Sequence, residues 1–157
     1  MSEAQVGKVL AIALRRGEHG PMIEVDRALA RKDAGVEPDR WPKPKRGVTF
    51  LAAAQWRDVQ RELDSDLPWH ARRANLLVDA DTLAHLLDRT IRVGGATLEI
   101  KGETKPCKLM EETLAGLRAA LAVECRGGVF GRVVEAGEIH VGDEIRLLSQ
   151  PGDPAGG

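Results

Sequence analysis

Short runs of alternating apolar and polar residues open the chain, a pattern typical of β-strands. Residues 7–14 read GKVLAIAL and residues 21–26 read PMIEVD, with a polar, glycine-containing break between them. The pattern therefore predicts a pair of strands.

Residues 27–46 are highly charged and carry three prolines. Because proline lacks a backbone donor and restricts the residue before it, we expect a long loop there.

Two later stretches space their apolar residues three or four positions apart, as on one face of a helix. The first includes Leu51, Ala52, Trp56, Val59 and Leu63, and this spacing makes Trp56 a core residue rather than a ligand contact. The second runs from Leu109 to Leu121, with Glu111 and Glu112 early in the run, where acidic side chains favour the helix dipole. Both stretches are predicted helices, and a third, short helix is compatible with residues 81–88.

Further strand candidates lie between and after the predicted helices. They cover residues 75–78, 90–93, 96–100, 127–134 and 139–148. The Gly94-Gly95 pair between two of these runs predicts a two-residue hairpin connection. The last two runs are broken by glycines, which suit the tight bends of a small barrel.

These elements predict a mainly β (α+β) fold, a mostly antiparallel β-barrel with two or three peripheral helices. We expect its sheet to contain both the first strand near Gly7 and the last strand near Ile145. The chain has 157 residues, of which 43% are hydrophobic, enough for one core. We therefore expect a single domain over residues 1–148 and a disordered tail over residues 149–157.

Composition argues against several classes of function. Charged residues make up 30% of the chain, but the formal net charge is −1, so no overall field attracts nucleic acid or a membrane surface. Aromatic residues are only 3%, too few for a base-stacking platform. The first residues lack the basic region and cleavage pattern of a signal peptide, and no apolar run is long enough to span a bilayer. With two cysteines in all, we expect reduced thiols and a cytoplasmic protein.

Cys107 is the candidate for a reactive sulfur. It lies between Lys105 and Lys108 in the segment ETKPCKLMEE, just before a predicted helix. Nearby cations and the positive end of a helix both favour thiolate over thiol. The alternative is a small apolar side chain at a helix entrance, and this local context leaves both open.

Two groups of residues could bind an anion. Arg72, Arg73 and Asn75 lie in HARRANLLV, and Arg126 precedes the Gly127-Gly128 pair. Guanidinium groups, an amide and exposed backbone N–H groups are what a phosphate or carboxylate requires. The alternative is ordinary surface arginines and a β-turn. The four histidines are far apart in the sequence, so no zinc site is indicated.

The order of these motifs resembles a known family. An Arg-x-Asn element, a Gly-Glu-Thr followed by Pro-Cys, an Arg-Gly-Gly and a late Gly-Asp occur in that order between Leu67 and Ile145. This region is similar to the core of a MOSC domain of the short bacterial kind, and GVEPDRWPKPKRGVTFLA resembles it more weakly. The family is similar to the C-terminal domain of molybdenum cofactor sulfurases and to molybdenum-dependent reductases of N-hydroxylated compounds. The resemblance implies a MOSC-type barrel, similar to the pyruvate kinase barrel.

The resemblance also implies roles for single residues. Cys107 takes the position of the family cysteine, which carries sulfur or ligates molybdenum. A soft thiolate suits such a thiophilic centre. Six residues are implied to hold the pterin or phosphate of a molybdopterin-type molybdenum cofactor, with Arg40 the weakest candidate. They are Arg40, Arg73, Asn75, Arg126 and the Gly127-Gly128 pair. Cys125 does not match a family cysteine and is expected to be structural.

Three functions follow as hypotheses. The first is an oxidoreductase that binds molybdenum cofactor through Cys107 and acts on a small N-hydroxylated substrate. The second is a sulfur carrier with a persulfide on Cys107. The third is a non-catalytic module that binds a cofactor or partner. The sequence has no desulfurase domain with a pyridoxal lysine, no ferredoxin-like cysteine set and no flavin motif, so we expect a redox or sulfur-donor protein as partner.

Overall fold

The structure, a computed structural model, describes residues 4–15, 21–37 and 47–148. Its strands are β1 (Ala4–Arg15), β2 (Met22–Val25), β3 (Arg27–Ala30), β4 (Val36–Glu37), β5 (Val48–Ala52), β6 (Leu76–Val78), β7 (Thr90–Val93), β8 (Ala96–Glu103), β9 (Val129–Glu135), β10 (Gly137–His140) and β11 (Glu144–Leu147). Its helices are α1 (Ala53–Glu62), α2 (Lys108–Thr113) and α3 (Leu117–Leu121), with 3-10 turns at Trp69–Arg72 and Ala84–Leu86.

The long first strand closes a barrel. β1 pairs with β11 near its start, where Gly7 lies opposite Ile145, then with β6 in its middle and β2 at its end. The order β11-β7-β8-β9-β5-β6-β1 therefore returns on itself as a barrel of seven strands, with β2 added beside β1. The expected barrel, containing both the first and last strands, is confirmed.

The barrel is mixed rather than wholly antiparallel. Among the described strand pairs, β5 and β6 are parallel and the others are antiparallel. Parallel neighbours need a crossover connection, and α1 lies in the segment between these two strands. The hairpin of β7 and β8 around Gly94-Gly95 forms as predicted.

The predicted loop over residues 27–46 is wrong in its first part. β3 and β4 lie there and form a second, three-stranded sheet with β10. Ala28, Ala30 and Val36 are buried, so this charged segment still supplies a narrow apolar face. Residues 38–46, with the three prolines, lie outside the described residues, as does the predicted tail at 149–157.

Helix boundaries also differ from the expectation. Leu51 and Ala52 belong to β5, and α1 begins only at Ala53. The sequence pattern does not reveal the full length of this strand because all five of its residues are buried, so it lacks the apolar and polar alternation of a half-exposed strand. The second predicted helix is broken into α2 and α3 at Gly116, whose N–H donates to the Glu111 carboxylate at 3.0 Å. Residues 81–88 contain a 3-10 turn instead of an α-helix.

No helix in the described ranges is long and apolar enough to cross a membrane.

Two hydrophobic clusters meet at β5. Phe50 points into the barrel interior, whereas its neighbour Leu51 points outward. The outer cluster joins that strand to all three helices. Its buried members are Leu51, Trp56, Val59, Ala74, Met110, Leu117 and Leu121. The helices therefore cover the outside of the barrel at β5, and this places the start of α2, with Cys107, on the same side.

Asn75 ties three strands together from a fully buried position just before β6. Its Oδ1 accepts the Thr49 backbone N–H at 3.1 Å and the Thr49 hydroxyl at 3.2 Å. Its Nδ2 donates to the Ala13 carbonyl at 3.2 Å. β1, β5 and the start of β6 are thus held by one side chain.

We predict that Asn75→Ala lowers the free energy of unfolding by roughly 2–4 kcal/mol, because several buried polar groups lose their partners. Thr49→Val, which removes only the hydroxyl, should cost less. Urea denaturation measures both values. An Asn75→Ala variant as stable as the unchanged protein would contradict this role.

Gly128 lets two segments approach closely before β9. Its φ is +94°, and a Cβ placed there would lie 2.0 Å from the Phe50 carbonyl oxygen. Gly142 has a similar φ of +97°, yet a Cβ there would have nothing within 4 Å. The two glycines share a backbone conformation but differ in the space around them.

We predict that Gly128→Ala destabilises the fold by about 3 kcal/mol or more, because backbone strain and steric overlap add. The matched Gly142→Ala change should cost only the strain of a left-handed residue, about 1–2 kcal/mol. Thermal or urea unfolding of the two variants gives the comparison. Equal losses of stability in the two variants would show that the close approach to Phe50 does not add to the cost of Gly128→Ala.

Candidate functional site

Cys107 presents an exposed thiol between a barrel strand and a helix. β8 ends at Glu103, and α2 begins at Lys108. Cys107 has extended backbone angles, φ −111° and ψ −179°, and its carbonyl accepts the Met110 N–H at 3.0 Å. Among the described residues it is the exposed free cysteine, whereas Cys125 is buried.

Arg72 fastens the segment before Cys107 to the turn before β9. Its guanidinium is buried, with the whole residue 6% exposed. Nη2 donates to the Thr104 carbonyl at 2.8 Å, and Nε donates to the Gly127 carbonyl at 3.1 Å. The planar guanidinium suits two acceptors at once. One side chain thereby fixes the spacing of the Cys107 and Gly127-Gly128 segments.

Gly127 is in direct contact with the segment that carries Cys107. A Cβ at Gly127 would lie 2.4 Å from the Thr104 carbonyl oxygen and 3.4 Å from Pro106 Cδ. The Thr104 N–H also donates to the Gly128 carbonyl at 2.8 Å. The structure therefore brings together two motifs that are about twenty residues apart in sequence.

The Arg126 side chain binds to the helices. Nη1 and Nη2 donate to the two Glu62 carboxylate oxygens at 2.9 and 2.7 Å, and Nη1 also reaches the Ala120 carbonyl at 3.4 Å. The hydrogen bond from Arg126 lowers the pKa of Glu62, and the same bond raises the pKa of Arg126. Arg126 thus links its turn to α1 and α3, and its implied contact with a cofactor stays a prediction.

The remaining predicted residues lie in different settings. Arg73 has a left-handed φ of +65° after the 3-10 turn at Trp69–Arg72 and is partly exposed. Asn75 is fully buried, with its side chain bonded to Thr49 and Ala13. Arg40 lies outside the described residues. Binding of a cofactor by these three residues also stays a prediction.

Cys125 has the opposite environment to Cys107. It is 9% exposed, and its thiol donates to the Gly128 carbonyl at 3.7 Å. Burial, with a smaller contribution from the negative charge of Glu103, raises the pKa of Cys125 to about 11. Its thiolate is therefore scarce near neutral pH, which agrees with a structural role.

The described residues do not form a complete metal site at Cys107. In the ranges that the structure describes, no three His, Cys, Asp or Glu side chains come together as a metal site. The sequence does not reveal the role of Arg72, since two adjacent arginines precede β6 and their pattern does not show which one turns inward. The two side chains point in different directions because Arg72 ends the 3-10 turn, whereas Arg73 follows it with a left-handed backbone conformation.

Comparisons with known proteins give a family match and several solved structures of similar fold. The model of the MOSC domain family matches residues 37–146, well over half of the chain. YuaD from Bacillus subtilis superposes with a TM-score of 0.76 and 15% identity, covering 95% of this chain and 100% of that one. YiiM from Geobacillus stearothermophilus gives a TM-score of 0.74 with 14% identity, covering 91% of this chain and 75% of the other.

YiiM from Escherichia coli is similar in the same way, with a TM-score of 0.73, 18% identity and coverage of 93% of this chain and 72% of the other. At these identities the likeness to solved structures shows the fold. No functionally curated protein matches the chain. The family model, which matches the region carrying the Cys107 and Arg126-Gly127-Gly128 motifs, identifies the chain as a member of the MOSC domain family.

Proposed function

We propose that this protein binds a molybdopterin-type molybdenum cofactor, with the Cys107 thiolate as the protein ligand of the metal. The proposed reaction is the reduction of small N-hydroxylated compounds. The observation that carries the proposal is the exposed Cys107, in a segment that Arg72 joins to Gly127 through its hydrogen bonds to the Thr104 and Gly127 carbonyls. The molybdenum cofactor association of MOSC domains supports it.

The donor chemistry at Cys107 fits this group. A single soft thiolate is a good ligand for a thiophilic metal but a poor site for a bare ion. The described residues offer no cluster of three further metal ligands. A metal that brings its own sulfur ligands on a pterin needs only one from the protein, and Cys107 supplies one.

The chain's own residues would hold the thiol and the cofactor in place. Arg72 fixes Thr104 and Gly127, and through them the approach of the chain to Cys107. Gly127 is buried against Thr104 and Pro106, so its proposed role is to hold the Cys107 segment in place. Arg73 and Arg126 are the proposed partners of the pterin or its phosphate, Arg126 with a guanidinium that Glu62 also binds, and Arg40 is a weaker candidate. When bound, the cofactor would supply the oxygen transfer and the redox chemistry.

The proposed reaction would need an electron donor. The whole chain has two cysteines, too few for a four-cysteine iron–sulfur cluster. We therefore propose a separate redox partner, together with a reducing compartment such as the cytoplasm that keeps Cys107 a free thiol. The same exposed thiol also favours a second candidate, a persulfide carrier supplied by a sulfur-donor protein.

We predict that molybdenum co-purifies with the protein from a host that makes the cofactor, and that Cys107→Ser lowers bound molybdenum at least about tenfold, the loss usual for a disrupted metal site. Cys125→Ser is the matched control and should keep the metal. Metal analysis and intact mass spectrometry give both readouts. A persulfide mass on Cys107 without molybdenum would replace the first function with the second.

We predict that Cys107 is the thiol alkylated at pH 7–8, whereas Cys125, with a pKa of about 11, reacts appreciably only at more alkaline pH. Rates at each cysteine come from peptide mass spectrometry after timed alkylation of the folded protein. Bound cofactor should protect Cys107. Faster labelling of Cys125 at neutral pH would contradict the assignment.

A further inference from the structure

A groove of about 410 Å³ lies beside the segment that leads to Cys107. One wall is formed by the end of β8 and the residues after it, and the other by α3 and the residue that follows it. The groove is lined by Glu103, Lys105, Pro106, Arg118 and Ala122. It is open to solvent on the helix-covered side of the barrel, so a small molecule could enter it without displacing the core.

Two cations from different elements face this groove. Lys105 lies in the connection from β8 to α2, and Arg118 lies on α3. Both are exposed, and neither forms an ion pair with any residue of the described ranges. Arg126 and Arg132, by contrast, are bound to carboxylates at 2.7 and 2.6 Å. Lys105 and Arg118 therefore keep their charge available for a ligand.

The groove has one opposing charge. Glu103 is partly buried, and its negative charge acts on the buried thiol of Cys125. Two cations against one carboxylate leave the groove with an excess of positive charge. Pro106 and Ala122 add apolar surface between the charged groups, which suits the carbon skeleton of a small molecule.

We propose that this groove is an oxyanion subsite, which binds the carboxylate or phosphate group of a small molecule whose reactive end reaches the Cys107 thiol. The proposal rests on the function proposed above and adds a substrate class to it. Pro106 lines the groove, and Cys107 follows it in extended conformation, so an anion held by Lys105 and Arg118 lies next to the thiol segment. Arg118 offers a planar fork for two oxygens, and Lys105 adds a point charge.

The test compares two alkylating probes that differ in charge. Thiolate attack on either iodoacetate or iodoacetamide forms a carbon–sulfur bond and releases iodide, but only iodoacetate carries a carboxylate. At constant ionic strength, Lys105→Gln and Arg118→Gln should each lower the iodoacetate-to-iodoacetamide rate ratio at Cys107 roughly two- to fivefold, the size expected for one exposed charge. Lys101→Gln, on β8 outside the groove lining, should leave the ratio unchanged.

A second measurement locates the anion directly. Titration with inorganic phosphate or with acetate, followed by backbone amide NMR, should shift the signals of Lys105, Arg118 and Ala122, and the tighter probe names the preferred group. Lys105→Gln and Arg118→Gln should weaken this binding. Lys108→Gln is the matched control, because Lys108 also adjoins Cys107 but does not line the groove.

An unchanged rate ratio in both groove variants, or an equal loss of anion binding in Lys108→Gln, would overturn the subsite. Unchanged melting temperatures would show that the exposed substitutions leave the fold intact. The molybdenum proposal fails on a different measurement: metal analysis would find no molybdenum in the protein, or would find the same amount in Cys107→Ser. The two proposals can therefore fail separately, since the probe experiments use protein without cofactor.

Discussion

The fold depends on one strand that is long enough to bind three neighbours. β1 reaches β11 with its first residues, β6 with its middle and β2 with its end, and this joins the two ends of the chain into a closed barrel. Closure removes the free strand edges that an open sheet would leave. It also gives each strand an inner and an outer face, so that Phe50 belongs to the cluster inside the barrel and its neighbour Leu51 to the cluster outside.

The position of the site follows from that outer face. α1, α2 and α3 pack on the outside of β5 through Leu51, Trp56 and Met110, and the start of α2 carries Cys107 with it. Hydrogen bonds then set the finer spacing. The buried guanidinium of Arg72 joins the strand end before Cys107 to the glycine turn, while Arg126 joins that same turn to the helices. A charged side chain in such a buried position is stable only when its donors are satisfied.

The two cysteines show what a local sequence can indicate about chemistry. The lysines on both sides of Cys107 left open whether it is a reactive thiol or a small apolar side chain at a helix entrance, and the structure exposes it. Cys125 had only Arg126 as a close cation in sequence, and that guanidinium turns to Glu62 while the thiol is buried. Arg72 shows the opposite limit, because adjacent arginines look equivalent until a turn directs one inward. The groove beside Cys107 also combines residues of β8 and α3 that no linear motif joins.

The sequence by itself determined the class of fold, since short glycine-broken strands with two amphipathic stretches fit a barrel with outer helices. It also determined the Gly94-Gly95 hairpin, because that turn is a local property of two residues. Only the tertiary structure decided that residues 27–37 add strands, that β5 continues through Leu51 and Ala52 where a helix was expected to begin, and that Asn75 lies in the core. These outcomes depend on partners distant in the chain. β3 pairs with β10, β5 is covered on both faces, and Asn75 forms hydrogen bonds with Thr49 and Ala13. Periodicity within a segment carries no information about such partners, so burial on both sides and buried polar contacts emerge only when the barrel closes.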